Sequence, residues 1–195
     1  MPDLRLQCRD KVLDLSCPAI MGIVNLTPDS FSDGGQLYAG NRLNQSKTLA
    51  AIEKMLNNGA DIIDLGGEST RPGAAEVPEQ QELERVLPIL ELVLDRFDAL
   101  VSVDTSTAIV IREASVKGAH LINDVRALTR DGALEAAAQS GLPVCLMHMQ
   151  NQPQTMQIEP VYQDVAAEVL AFLMTRKQDC IKAGIPAEQI VLDPG

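Results

Sequence analysis

Six short apolar runs, five stopping at a polar residue and one running into glycines, constrain this chain more than any other feature. They are Ile23-Val24-Asn25, Asp61-Ile62-Ile63-Asp64-Leu65-Gly66, Val101-Ser102-Val103-Asp104, Leu121-Ile122-Asn123-Asp124, Cys145-Leu146-Met147-His148 and Ile190-Val191-Leu192-Asp193. Runs that are apolar almost throughout are buried on both faces, which predicts a parallel sheet with helices outside it. Strands are expected near 19–25, 61–66, 100–104, 120–125, 143–148 and 189–193. Helices fill the gaps. Leu83, Val86, Leu87, Leu90, Val93 and Leu94 keep helical spacing, Leu49, Ile52 and Leu56 mark an earlier helix, and Val165, Val169 and Phe172 a later one. Pro78 suits a first turn, and Pro88 is expected to kink or divide its helix. Gly59, Gly118, Gly141 and Gly184 each stand where a helix gives way to the next strand. Leu4 to Leu15 alternates apolar and polar and predicts a hairpin ahead of the main fold.

Such a sheet gathers its strand-end polar groups on one face, the carboxyl face where open α/β sheets and barrels place their sites. Two architectures remain open on the pattern. The first strand is not followed by a Gly-x-Gly-x-x-Gly, which weakens a dinucleotide fold. Polar groups at several strand ends favour a (β/α)8 TIM barrel. A barrel needs eight strands and typically ~250 residues. The expectation is therefore an incomplete α/β barrel of about six βα strands, one domain over residues 1–195, preceded by a β-hairpin.

Composition excludes several partner classes. The net charge of −11 argues against nucleic acid, whose phosphates need a basic surface. An anionic substrate would need a local device such as Arg71, a metal or backbone amides. No apolar run approaches the ~20 residues that span a bilayer. Met1 to Asp10 is too charged for a signal peptide. The four cysteines, Cys8, Cys17, Cys145 and Cys180, have no CxxC or ligand spacing and read as reduced thiols of a cytoplasmic protein. Two histidines and scattered cysteines give no zinc site, and no Ser-His-Asp elbow or P-loop is present.

Two loops carry the strongest chemistry. Asn25 to Gly35 is polar and rich in turn formers, with Phe31 in its middle, and suits a mobile active-site loop. The amide oxygen of Asn25 could ligate a hard cation such as Mg2+. Gly66-Gly67 allows close backbone approach, and Thr70-Arg71 adds a hydroxyl and a guanidinium that can grip phosphate. Asp104, Asn123 and Asp193 form the core of a polar ring. A carboxylate accepts two parallel donors and an amide offers both kinds of group, which suits an aminopyrimidinone edge. Capping of the following helices is the plainer alternative for each. Asp64 and Asp124 are weaker candidates; Asp64, inside its strand, could point into the barrel. Met147 could pack its thioether on a flat ring. His148 is open to either role, and His120, at the opposite face, reads as structural.

These segments resemble bacterial dihydropteroate synthases. The likeness rests on Asn25 to Gly35, on Asp64-Leu65-Gly66-Gly67-Glu68-Ser69-Thr70-Arg71-Pro72-Gly73, on Ser102-Val103-Asp104-Thr105, Ile122-Asn123-Asp124 and Leu192-Asp193-Pro194-Gly195. The resemblance implies a folate-pathway (β/α)8 barrel joining dihydropterin-6-ylmethyl diphosphate to 4-aminobenzoate. It implies that Asp104, Asn123 and Asp193 bind the pterin edge, with Met147 and Val125 lining the pocket. Asn25 would ligate Mg2+, Thr70 and Arg71 would lie near the diphosphate and the aminobenzoate, and Phe31 and Pro72 would shape the aminobenzoate pocket where sulfonamides compete. Catalysis would rest on Arg71, Asp104 and Asp193, through an S_N1-like loss of diphosphate. The implied partners are these small molecules, with a homodimer as the assembly. The family continues past Asp-Pro-Gly with a glycine- and phenylalanine-containing loop, a Ser-Arg-Lys segment and an Arg-x-His segment. Their absence from these 195 residues leads to the expectation of low stability and little activity for the chain alone. A pterin-binding methyltransferase of the methyltetrahydrofolate type and a non-catalytic pterin binder are the alternatives.

Overall fold

The computed structural model describes residues 4–27, 38–39, 42–69, 77–151 and 160–195. A hairpin of β1 (Arg5–Cys8) and β2 (Lys11–Asp14) comes first, turning at Arg9, whose φ is +62°. Then follow β3 (Met21–Asn25), a two-residue ribbon of β4 (Tyr38–Ala39) and β5 (Arg42–Leu43), and α1 (Gln45–Asn57). From there strand and helix alternate: β6 (Ile62–Gly66), α2 (Glu79–Arg96), β7 (Leu100–Asp104), α3 (Ala108–Lys117), β8 (Leu121–Asp124), α4 (Ala133–Ser140), β9 (Val144–Met147), α5 (Val165–Ala183) and β10 (Ile190–Asp193).

The main sheet is entirely parallel, in the order β3-β6-β7-β8-β9-β10. Setting the β4-β5 ribbon aside, each strand lies beside the one before it in the chain, which is the sequence of strands around a (β/α) barrel wall. All six expected strands are present within two residues of their expected ends, as is the hairpin.

Strand parity sorts the side chains into two cores. Val24, Ile63, Leu65, Val101, Val103, Ile122, Val144 and Leu146 point outward and pack against Ile52, Val86, Leu90, Val93, Ile111 and Ala137 of the helices. Inward-pointing Ile62, Leu100 and Leu121, at the amino ends of their strands, pack against Leu6, Cys8 and Leu13. The hairpin therefore plugs the amino-terminal end of the concave face. His120 belongs to this end, as expected. Its Nδ1 accepts a hydrogen bond from the Val101 amide at 3.1 Å, and its Nε2 lies 3.5 Å from Asp10.

Two helix expectations need correction. Pro88 does not divide α2, which runs unbroken from Glu79 to Arg96. The carbonyl four residues back that loses its partner belongs to exposed Glu84, where solvent can meet it. Pro78 is the N-cap rather than a residue of the first turn. The ribbon β4-β5 had no alternating pattern to announce it. No helix among the described residues is long and apolar enough to cross a membrane.

Burial also decides the thiols. It pushes Cys8 up to about 11 and raises Cys180. Cys145 is pushed up to about 12, by burial first and then by Asp193, Asp64, Asp104 and Asp124. Only the thiolate reacts readily, so these three stay inert at about pH 8. A thiolate-selective reagent is expected to label the exposed Cys17 alone in the native protein and all four cysteines after denaturation. A second fast-labelling thiol in the native protein would contradict this packing.

Candidate active site

The polar groups converge because the strand register aligns them. Asn25, Gly66, Asp104, Asn123, Cys145 and Val191 are cross-strand partners in one continuous row. Registered neighbours in a parallel sheet share a face, and this row is on the inner one. The row below it is Ile23, Asp64, Ser102 and Leu121; above it Met147 pairs with Asp193. Asn25, Asp104, Asn123, Met147 and Asp193 therefore share one side of the sheet, and half-buried Val125 follows two residues after Asn123. Thr70, Arg71, Pro72 and Phe31 lie outside the described residues.

Gly66 is the centre of the row. A methyl group there would come 3.4 Å from Asp104 Oδ2 and 3.8 Å from Asn25 Oδ1. Oxygen atoms from two neighbouring strands thus lean over a backbone with no side chain of its own. Asn123 donates from Nδ2 to Asp64 Oδ2 at 3.2 Å. Asp193 Oδ1 accepts from the Gly195 amide at 2.9 Å, and its carbonyl accepts from the His148 amide at 2.8 Å. Burial raises Asp104 well above the ordinary carboxylate range, and Asp64, Asp124, Glu82 and Glu68 push it the same way. Asp64 is raised too, by burial, against the lowering influence of Ser102 and Asn123. Among the described residues the row is thus an acidic floor, suited to a ligand edge that carries hydrogen-bond donors.

Two expected candidates fall elsewhere. Asp124 has the opposite strand parity. Its carboxylate accepts from the Ser106 hydroxyl and from the amides of Arg126 and Leu128, both at 2.8 Å. It holds a turn in which Ala127 and Leu128 take φ of +50° and +58°, a conformation costly for residues with a Cβ. Arg176 of α5 clamps the same turn, donating to the carbonyls of both residues at 2.8 and 3.0 Å. His148 is buried, with its ring edge-on to Phe172 at 5.2 Å and tilted against Tyr162 at 6.0 Å. It packs the α5 side of its strand end.

A buried polar network behind the row escaped the sequence reading. Arg126 donates to Glu68 Oε2 at 2.8 Å and to the Ser106 hydroxyl at 3.0 Å, and Arg130 lies 3.7 Å from the same carboxylate. Glu82 of α2 accepts from the hydroxyls of Thr105 and Thr107. Arg85 donates to the Gly67 carbonyl at 2.8 Å. A methyl group on Gly67 would meet Val86 Cγ2 at 2.7 Å and the Glu82 carbonyl oxygen at 3.1 Å, so α2 packs directly on that backbone. Together these contacts fix the carboxyl ends of β6, β7 and β8. The partners are far apart in sequence, so no local spacing could reveal them. Cys145 was also missed as a member of the row, although its parity with Met147 was readable.

A cavity of about 490 Å3 lies at the other end of the sheet, lined by Lys11, Cys17, Asp61 and Asp98 among others, and holds none of the strand-end candidates. Among the described residues no group of three or more His, Cys, Asp or Glu could hold a metal ion.

Residues 21–195 match the family model described as pterin binding enzyme. The chain is 54% identical over 192 residues to a dihydropteroate synthase of Haemophilus influenzae, covering 98% of this chain and 68% of that one. It is equally similar to the dihydropteroate synthase of Escherichia coli K12, covering 98% and 66%. Among solved structures, a Yersinia pestis dihydropteroate synthase in a sulfonamide drug complex superimposes with a TM-score of 0.92 at 53% identity, covering 98% of this chain and 68% of that chain. A Xanthomonas albilineans dihydropteroate synthase with 4-aminobenzoic acid gives 0.87 at 43%, covering 100% and 67%. The chain spans about two thirds of the length of these relatives.

Proposed function

Because this chain belongs to the pterin-binding enzymes, and among them to the dihydropteroate synthases, we propose that it serves folate biosynthesis by joining dihydropterin-6-ylmethyl diphosphate to 4-aminobenzoate. The observation that carries this is the inner row, where Asn25 and Asp104 lean over Gly66 and Asn123 stands next in register. In this reading Asp104 and Asn123 take the donor-rich edge of the pterin, Asp193 adds a further acceptor, and Met147 and Val125 pack on the ring.

The chemistry breaks the C–O bond between the pterin methylene and the diphosphate. It forms a C–N bond to the aryl amine, which gives up one proton. The acidic row stabilises a pterin-methyl cation formed in between. The aryl amine is neutral near pH 7 and attacks that cation directly, so no protein nucleophile is required. By resemblance Thr70 and Arg71 hold the departing diphosphate and the aminobenzoate. Phe31 and Pro72 shape the aminobenzoate pocket, and a sulfonamide would compete there.

Asn25 Oδ1 and Asp104 Oδ2 both reach the space over Gly66, and Mg2+ is a hard ion that favours oxygen ligands and usually keeps several waters and substrate phosphates. Asn25 would supply the protein oxygen, and when bound the ion would neutralise charge on the leaving diphosphate. The resemblance carries over in the same way to a cytoplasmic homodimer.

The test supplies the full-length gene product, rather than these 195 residues alone, with the dihydropterin diphosphate, Mg2+ and 4-aminobenzoate. Dihydropteroate and diphosphate are expected in equal amounts, with no dihydropteroate when 4-aminobenzoate is omitted. Methyl transfer from methyltetrahydrofolate in place of this condensation would overturn the assignment.

A further inference from the structure

Asp64 is buried out of proportion to any packing role. Its side chain is 2% exposed, one row below Asn123 on the inner face, and Oδ2 accepts the Asn123 Nδ2–H. Its other oxygen, Oδ1, has no hydrogen bond among the described residues, nor has the buried hydroxyl of Ser102, its cross-strand partner. Ser102 lies close enough to favour the charge on Asp64 but outside hydrogen-bond geometry. A buried carboxylate with an unpaired oxygen costs stability, and an apolar residue would fill the position without that cost. The inner face at this level already holds Ile23 and Leu121 in the same row.

An ionised carboxylate accepts hydrogen bonds and donates none, whereas a side-chain amide has one arm of each kind in nearly the same shape. In the structure the arm turned to Asp64 is the nitrogen, the arrangement an ionised carboxylate requires. The carbonyl oxygen, on the opposite arm, turns away from Asp64. Asn123 alone would be ambivalent, able to meet a donor or an acceptor by a half-turn about its last bond.

Given the pterin-binding function proposed above, on which this rests, we propose that Asp64 is a positioning residue. It locks the Asn123 amide with its carbonyl toward the ligand, and so selects a pteridine carrying a 2-amino group over one carrying a 2-oxo group. The amino group presents hydrogens to that carbonyl. A 2-oxo group presents lone pairs to it and is repelled.

The test compares binding of pterin (2-amino-4-oxopteridine) with that of lumazine (2,4-dioxopteridine) by calorimetry. Wild-type protein is set against Asp64→Asn, Asn123→Ala and the double variant. Asp64→Asn keeps the shape and loses the polarity, since an amide at 64 can face either arm of Asn123. It is expected to narrow the preference for pterin over lumazine at least tenfold. In the Asn123→Ala background the same change should alter the preference less than twofold. Equal weakening of both ligands would mark Asp64 as merely structural and overturn the proposal. So would a full effect of Asp64→Asn without Asn123. Side-chain amide NMR of the wild type needs no variant to fold. One Asn123 Nδ2 proton should be protected from exchange, and two freely exchanging protons would overturn the proposal. A protected proton in a protein that binds neither pteridine would overturn the pterin site itself, and the ligand selection with it.

Discussion

Asp104→Asn is expected to weaken pterin binding by on the order of a hundredfold. The change is isosteric and keeps the packing, but it replaces an acceptor with an NH2 group in a row that serves a donor edge. Each hydrogen bond to a charged acceptor contributes roughly 1.5–3 kcal/mol, and the new donor facing a ligand donor adds repulsion. Asp104→Ala should lose the same bonds without the repulsion and retain somewhat more affinity. Calorimetry with pterin checks both, and unchanged affinity in either would mean that the pocket is elsewhere.

The same substitutions should not harm the fold. The Asp104 carboxyl is raised by burial and by its carboxylate neighbours, so the native state holds its proton more tightly than the unfolded chain does. Between the ordinary carboxylate range and the raised value the native state binds more protons, and stability falls as pH rises. Removing Asp104 removes that loss. Asp104→Ala should be at least as stable as wild type at neutral pH, with a flatter dependence of the denaturation midpoint on pH. The row is in this sense built at the expense of stability, as sites for strongly recognised ligands often are.

Arg126→Met should produce the opposite pattern. Arg126 is 7% exposed and Glu68 5% exposed, and the bond between them is 2.8 Å. Methionine fills the space of the stem and leaves Glu68 a buried charge. Among the described residues Arg130, at 3.7 Å, is the other cation paired with it. Breaking one side of a buried pair costs ~3–5 kcal/mol, and Arg130 places the expected loss near the lower end, about 3 kcal/mol. For a chain of this size that lowers the midpoint of thermal unfolding by on the order of 10 °C. Pterin affinity should change far less, because the pair lies behind the row. Adding Glu68→Gln to Arg126→Met should restore most of the loss, since the orphaned charge is what destabilises. A stability change under about 0.5 kcal/mol would show that Arg130 neutralises Glu68 unaided.

Much of this was legible in the sequence. Val24, Ile63, Leu65, Val103 and Leu146 advertise strands buried on both faces, because a strand covered by helices on one side and core on the other has little place for polar groups. The αL glycines Gly118, Gly141 and Gly184 mark helix ends because a left-handed residue there disfavours a Cβ. Asn25, Asp104, Met147 and Asp193 could each be placed at a strand end, on the carboxyl side of the sheet, from local sequence alone.

Other features needed the tertiary structure. Asp124 and Asn123 are adjacent, equally polar and both at a strand end. Parity sends one to the inner row and the other to Ser106 and the turn at Ala127, and register across three strands decides which is which. Pro88 reads locally as a break, yet the packing of Val86, Ile89, Leu90 and Val93 holds the helix through it. The pairing of Asn123 with Asp64, 59 positions apart, and of Arg126 with Glu68, 58 apart, depends on neighbouring strands meeting in one register. The sequence by itself determined the order of strands and helices and the chemistry at each strand end, because periodicity and chain turns are local. Only the fold decided which of those groups share a charge, a proton or a bond, because electrostatics and hydrogen bonds act over a few ångströms of space whatever the distance along the chain.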